Sequence, residues 1–433
     1  MTILTIAAVA LLLCAPTMIT GRSRRFFATT VPGLENVLDN ELKSLGALEV
    51  EKGKAGVTFT GDTALGCEAL LWLRSALRLM EVVGYGEGVR SKEDLFAFCS
   101  SLDWGNLMHS PSNTFKCECV LGQETSEDFN HSHYTSLTLK NAVVDWFRDN
   151  GMERPSVSVN DPDLSLLLYL HRGTATVYRV WSGDSSLHKR GYRDVVHRAA
   201  LRESTAAALL LATGWSSSPS ASSASASGSA TPEAILCDPF CGSGTLLIEA
   251  ALIVADCAPG LIRYDGYAPR LVTLPDLQQD GVEDAWDAAV EKARARDRRR
   301  TFTDRVLYGS DVNPSALTLA ERSAAMAGVG HMIGFMEADA ENVAYPDFLA
   351  SAVQTVVTNP PWDMRLDGGD DAWRKLDVLL RRVLARPRAG AFVLTGNPQL
   401  VRHISFKPGG NLAFSSSNVP MRLIKYKGGP GGR

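Results

Sequence analysis

Ile235-Leu236-Cys237-Asp238-Pro239-Phe240-Cys241-Gly242-Ser243-Gly244-Thr245-Leu246-Leu247-Ile248-Glu249-Ala250-Ala251 is the stretch that decides the fold. Its first residues are an apolar run of strand length ending in an acid, and its last residues open a helix that continues to Val254. Between them, Gly242 and Gly244 let the chain turn tightly and let a ligand approach the backbone N–H groups of a helix N-terminus. The third glycine of a dinucleotide fingerprint is missing, because position 247 is Leu. The loop therefore suits a ligand without a pyrophosphate.

The alternation continues downstream. Strands are predicted at Val306–Gly309, Ile333–Glu337, Val353–Val357 and Ala391–Thr395, with helices at Pro314–Ala327 and Trp373–Leu384. This predicts a mostly parallel sheet with helices on both faces. Ligands bind such sheets at the carboxyl ends of the strands. Three further strand ends carry candidate chemistry. Asp311 is placed to hold ribose hydroxyls, and it or Asn313 can also cap the helix from Pro314. Asp339 reads equally as a turn residue or as a partner for an adenine amine. Asn359-Pro360-Pro361-Trp362 combines a side-chain carbonyl and a backbone carbonyl that can accept both protons of an exocyclic amine. Its diproline stiffens the loop, and its aromatic can stack on a base.

Working upstream, residues 26–185 form an α+β unit of short elements. Strands are predicted at Phe26–Thr30, Val57–Gly61, Thr114–Val120, Leu164–Leu170 and Thr174–Val180, and helices at Leu34–Leu45, Leu65–Leu79 and Ser136–Phe147. Residues 186–215 are a basic connector and a helix, with Lys189, Arg190, Arg193, Arg198 and Arg202 against Asp194. Residues 216–231 are a Ser/Ala-rich insertion of the composition that stays flexible. Residues 232–433 hold the parallel sheet. Residues 1–25 stand apart: no charge precedes Arg22, and a mostly apolar run leads to an Arg cluster. A cleaved leader, an organelle leader, an anchor facing the cytosol and an extended gene start all stay open.

The chain has 433 residues, 45% hydrophobic and 21% charged, which excludes disorder as a whole. Lys and Arg number 44 against 48 Asp and Glu, so nucleic-acid contact must come from local patches. Besides the connector, Lys292 to Arg305 carries seven basic residues, read as a solvated helix face or as phosphate contacts. The eight cysteines contain no CxxC pair and read as reduced thiols. His131 and His133 lack further ligands at suitable spacing, so no metal is expected.

These residues resemble the S-adenosylmethionine-dependent amino-methyltransferases. More closely, residues 26–427 resemble the THUMP-containing ribosomal RNA large-subunit guanine-N2 methyltransferases. The likeness rests on Phe27–Glu35, Gly56–Gly61, Leu187–Arg193, Asp238–Ala251, Tyr308–Asp311, Asn359–Pro361 and Arg365-Leu366. It implies a Rossmann-like class I methyltransferase domain preceded by an α+β THUMP-type RNA-binding domain. It further implies that Asp238, Pro239, Phe240, Gly242, Gly244, Thr245, Asp311 and Asp339 bind S-adenosylmethionine. Asn359, Pro360, Pro361 and Trp362 would hold the target amine, and Lys189, Arg190 and Arg193 would face RNA. The implied substrate is a guanine N2 amine, with ribosomal RNA ahead of transfer RNA. DNA amino-methylation and non-catalytic RNA binding are the competing readings. Trp362 stands where the family has Tyr, and Asp363-Met364 replaces a Gly-Glu pair. The insertion suggests a eukaryotic chain, and the end near Arg433 suggests that a second, fused methyltransferase is absent.

Overall fold

A computed structural model describes residues 22–109, 111–193, 201–215, 234–265, 267–343, 353–362, 369–416 and 418–429. Most of 1–25, the insertion at 216–231 and Asp363 to Leu366 lie outside these residues. No helix among the described residues is long and apolar enough to cross a membrane.

The N-terminal half is one eight-stranded sheet. Its strands are β1 (Arg24–Thr29), β2 (Leu48–Gly53), β3 (Gly56–Gly61), β4 (Arg78–Glu87), β5 (Thr114–Leu121), β6 (Ser156–Val157), β7 (Leu164–His171) and β8 (Thr174–Val180). Their order is β2-β3-β1-β4-β8-β7-β5-β6. Ten-residue β4 joins the two halves of this sheet, pairing antiparallel with β1 on one side and β8 on the other. One face packs on helices in a core that includes Phe26, Phe59, Trp104 and Trp181. The expected helix from Leu65 to Leu79 is shorter. It starts at Thr63, capped by Asp62, and ends at Trp72, after which the chain leads into β4. Leu77 lies just before β4 and Leu79 within it, and their spacing happens to continue the helical one.

The C-terminal half is the expected parallel sheet. Its strands are β9 (Ala234–Asp238), β10 (Leu307–Asp311), β11 (Ile333–Glu337), β12 (Val353–Thr358), β13 (Gly390–Thr395), β14 (Gly410–Ser416) and β15 (Val419–Lys427). The order is β11-β10-β9-β12-β13-β15-β14, parallel through β13, with β15 antiparallel beside it. Side chains alternate between two cores: Leu236, Leu307 and Val357 enter one, and Ile235, Tyr308 and Val356 the other. Near-continuous apolar strands are what a sheet covered on both faces requires.

The two halves are bolted together by residues that composition alone assigned to solvent. Helices Pro259–Tyr264, Pro275–Gln279 and Val282–Arg296, with the short turn Arg270–Thr273, leave the second half and pack Leu271, Leu277, Val282 and Trp286 into the core of the first. Arg24, set aside with the N-terminal cluster, opens β1 and is 5% exposed. Its guanidinium meets Glu81 at 2.6 Å, Asp276 at 3.2 Å and also Asp280. Arg24 therefore belongs to the folded N-terminal half and not to the segment before it. At the other end of the junction, Gly33 (φ +98°) lies against β14, where a Cβ would come within 2.5 Å of the Ala413 carbonyl oxygen.

Candidate active site

Sheet order reverses between β9 and β12, which are hydrogen-bonded neighbours. Loops at their carboxyl ends open into one crevice there. β9 delivers Asp238 to Thr245, β10 delivers Asp311, β11 leads to Asp339, and β12 delivers Asn359 to Trp362.

The glycine loop is braced from below. Gly242 N–H donates to Asp311 Oδ2 at 2.9 Å, and Asn313 N–H to Asp311 Oδ1 at 2.9 Å. The helix from Pro314 is capped by Asn313, so Asp311 serves the loop instead. Gly242 (φ +51°) and Gly244 (φ +75°) are left-handed. A Cβ on Gly242 would enter open space, whereas one on Gly244 would press on Ala320 at 3.0 Å. Helix Thr245–Val254 has Gly244 as its N-cap and therefore no side-chain cap. Its first-turn N–H groups are left for a ligand, which is the feature of the loop that fits a small anionic or polar cofactor.

Asp238 is 1% exposed. Its Oδ1 accepts from the Thr358 hydroxyl at 2.6 Å and from Phe240 N–H at 3.2 Å. Burial pushes its carboxyl up to about 7, against the pull of those hydrogen bonds. Thr358 escaped the sequence reading, although β12 alternation buries it and it precedes Asn359. It ties the glycine loop to the Asn359-Pro360-Pro361 loop. An acid whose folded pKa exceeds its unfolded value holds more protons when folded. Its contribution therefore weakens stability as pH rises from about 4 towards 7. Asp238→Asn keeps an acceptor for Thr358 and should flatten this fall. Thermal melts between pH 4 and pH 8 read it, and parallel curves for the two proteins would show that Asp238 ionises normally.

Cys241 is buried, and burial first, then the charges of Asp238 and Asp311, push its thiol up. It packs as a neutral side chain.

In the last loop one expected acceptor, Asn359 Oδ1, already has a donor, and the neighbouring Pro361 carbonyl is held as well. Trp362 Nε1 donates to Asn359 Oδ1 at 3.0 Å, and Trp373 Nε1 to the Pro361 carbonyl at 3.0 Å. The Trp362 ring lies on Gly396, where a Cβ would sit 2.5 Å from ring Cζ3. Asp339 holds Lys375 Nζ at 2.7 Å, and Lys375 also holds Asp371 at 2.9 Å. Neither Trp373 nor Lys375 was legible as a site residue, since both lie on a helix whose register only the fold reveals.

Of the three residues expected to face RNA, only Lys189 is exposed to solvent. The Arg190 side chain is 2% exposed and donates to the Leu187 carbonyl at 2.7 Å and to the Arg74 carbonyl. Arg193 turns inward to Leu201 O at 3.2 Å and Ser243 Oγ at 3.5 Å. Carbonyls at a domain junction need donors, and these two arginines supply them. The second basic run is largely paired as well: Lys292 with Glu68, Arg296 with Asp256 and Arg299 with Asp297. Lys189→Glu should lower affinity for RNA and reduce the salt slope by about 1 without changing the melting temperature. Arg190→Glu should instead fail as a fold, because it buries a carboxylate among carbonyls beside Glu249. Filter binding across a salt series, with melts alongside, separates the two.

Among the described residues no group of three His, Cys, Asp or Glu comes together as a metal site.

Comparison with known proteins agrees with this architecture. An RMKL-like methyltransferase domain matches residues 190–407, an RlmL ferredoxin-like domain residues 25–80, and a THUMP domain residues 89–180. The chain is 37% identical over 407 residues to the ribosomal RNA large subunit methyltransferase K/L of Syntrophotalea carbinolica. The match covers 93% of this chain and 53% of that protein, so the chain spans about half the length of that relative. Among solved structures, one described as a possible methylase from Clostridium difficile 630 superposes with a TM-score of 0.78 at 22% identity. It covers 95% of this chain and 100% of its own. SMU.472, described as a methyltransferase and solved in complex with SAH, gives 0.77 at 22% identity over 94% and 99%. These two likenesses show the fold.

Proposed function

The chain belongs to the RMKL-like methyltransferase family, and from that premise we propose that it methylates the exocyclic N2 amine of a guanine in RNA, large-subunit ribosomal RNA first among the candidates. The observation that carries this reading is the meeting, on neighbouring strands β9 and β12, of an uncapped glycine-loop helix with an Asn359-Pro360-Pro361 acceptor loop. S-adenosylmethionine, when bound, supplies an electrophilic methyl group on a sulfonium.

Asp238, Pro239, Phe240, Gly242, Gly244 and Thr245 form the cradle for this donor, with Asp311 beside it. Asp339 reaches an adenine amine only by releasing or sharing Lys375. Asn359 Oδ1 and the Pro360 carbonyl accept from the target amine, fixing its nitrogen and keeping its lone pair available. For that, the Trp362 indole must leave Asn359 Oδ1 or share it with the amine. A base then takes over a hydrogen bond that the protein already keeps satisfied, so the acceptor is never left desolvated and empty. Alignment of donor and nitrogen supplies most of the catalysis, since positioning alone is worth roughly 7–11 kcal/mol.

RNA contact is supported by the uncovered face of the N-terminal sheet. A cavity of about 1540 Å³ there is lined by Phe27, Tyr169 and Tyr178 and by Lys54 and Lys140. Stacking surfaces beside cations are what single-stranded RNA uses. The deciding experiment is methyl transfer from labelled donor to ribosomal RNA, transfer RNA and DNA, with the modified nucleoside identified. Label in N2-methylguanosine of ribosomal RNA supports the reading, and label confined to DNA or to another base overturns it.

Trp362→Phe keeps the ring and removes the donor to Asn359. It should bind target RNA more tightly, about 2–5-fold, because one hydrogen bond no longer has to be exchanged. Unchanged or weaker binding would mean that the indole does not compete with the base.

A further inference from the structure

The segment Arg190-Gly191-Tyr192-Arg193 runs beside the helix that follows the glycine loop. Arg190 and Tyr192 fix its position from one side. Tyr192 OH donates to Glu249 Oε1 at 2.9 Å, and Arg190 Nε lies 3.7 Å from the same oxygen. Arg193 is thereby delivered to the other end of that helix, with Nη2 3.5 Å from Ser243 Oγ, between the two left-handed glycines.

This is an unfavourable place for a lone cation. A helix N-terminus carries partial positive charge, so it attracts anions and repels arginine. This helix also lacks any side-chain cap. The Arg193 side chain is only 5% exposed, and its Nε has no hydrogen-bond partner among the described residues. Its other contacts are long: 3.2 Å to the Leu201 carbonyl and 3.6 Å to Glu203 Oε1, the latter beyond hydrogen-bonding reach. Glu203 is also the first residue of helix Glu203–Thr213, whose N-terminus it serves. A buried guanidinium that has one orphaned donor beside its ion pair with Glu203, and is held against a set of open N–H groups, leaves donors for a further acceptor.

We propose that Arg193 binds the carboxylate of the methyl donor's amino-acid end, together with the first-turn N–H groups after Gly244. This rests on the donor occupying the glycine loop as argued above. It gives Arg193 a role in donor binding in place of the RNA contact expected from the sequence. It also makes the connector part of the cofactor site, so that the RNA-binding half and the donor loop share one side chain.

The test is a cycle between residue and ligand group, read by titration calorimetry on the full chain. The ligands are S-adenosylmethionine and its decarboxylated analogue, which keeps the amine and lacks the carboxylate. Wild type should prefer S-adenosylmethionine by about 10²-fold, as for a charge-assisted pair out of water. Arg193→Gln should reduce that preference to less than about 3-fold by weakening S-adenosylmethionine alone, with the analogue unchanged. Arg193→Lys should retain an intermediate preference, because it keeps the charge and loses the fork. Equal losses for both ligands would make Arg193 a structural bolt and overturn the proposal, and so would no loss for either. Should Arg193→Gln not fold, the lysine variant and the wild-type preference decide, and a wild type indifferent to the carboxylate overturns the proposal. A wild type that binds neither ligand would overturn the donor reading itself.

Discussion

Asn359→Ala should slow single-turnover methylation on the order of 10²-fold or more, the usual scale for losing one pre-positioned polar group. Donor affinity and RNA affinity should stay near wild type. The reasoning starts from where the side chain sits. Asn359 follows buried Thr358 at the carboxyl end of β12, and the Thr358 hydroxyl is fastened to Asp238 at 2.6 Å. Its backbone is further stiffened by Pro360 and Pro361, and the Pro361 carbonyl is held by Trp373. The amide is thus presented by a rigid frame that its own removal leaves intact. What is lost is the acceptor for a nitrogen that gains positive charge as the methyl arrives. An interaction that strengthens along the reaction coordinate affects the chemical step more than ground-state binding. Rapid-quench assays with labelled donor measure the step, and nucleoside analysis reads the product. Wild-type turnover with methyl at guanine N2 would mean that the amine is held elsewhere. Trp373→Phe is the companion variant: it removes the brace on Pro361 and keeps Asn359. Its loss should be smaller, about tenfold, because the loop loosens without losing the acceptor.

The parts of the fold that were legible are those whose signals are local. Gly242 and Gly244 between an apolar strand and an apolar helix can be read without a partner, and so can Asn359-Pro360-Pro361 after an apolar run. Two-residue alternation located β5, and the helix of residues 186–215 ends at Gly214 (φ +68°), the backbone conformation glycine favours. The misreadings share a cause. Arg24, Arg190 and Arg193 look like solvent or RNA residues because charge is normally exposed. The partners of Arg24 and Arg190 are far off in sequence: Asp276 is 252 residues from Arg24, and Arg74 is 116 residues from Arg190. Only the docking of the two halves brings those groups together. Lys375 on Asp339 and Trp373 on Pro361 were hidden for another reason: both partners lie within the second half, and only the folded register of helix Gly369–Val383 turns these side chains to the loops. Helices 259–296 were hidden because their apolar face belongs to the core of the other half.

That docking sets up the largest expected change in stability. Arg179 on β8 lies opposite Glu81 on β4, in register. It holds Glu81 Oε2 at 2.6 Å and Asp276 Oδ1 at 2.7 Å, with its own side chain 1% exposed. Trp181 Nε1 adds a third donor to Glu81 at 2.8 Å. Asp276 comes from the short helix Pro275–Gln279 of the second half, so this network fastens one half to the other. Burial alone would raise the Asp276 carboxyl, but the hydrogen bonds and charge of Arg179, followed by Arg24, hold it below its ordinary value. Arg179→Met preserves most of the volume and removes the charge. It leaves Arg24 facing three carboxylates in a site closed to water. Breaking a buried pair from one side costs about 3–5 kcal/mol, mostly from the charge left unpaired. Urea denaturation at pH 7 should show that loss. Adding Glu81→Gln and Asp276→Asn to Arg179→Met should recover much of it, because the stranded charges go too. The pH dependence follows with its own sign. A carboxyl held below its unfolded value adds stability above about pH 4, and that stability is lost as pH falls through the folded value. Wild type should therefore lose stability between pH 5 and pH 2 more steeply than the triple variant. Arg179→Met with wild-type stability at pH 7 would show that water reaches this junction and that the halves are held by their apolar contacts alone.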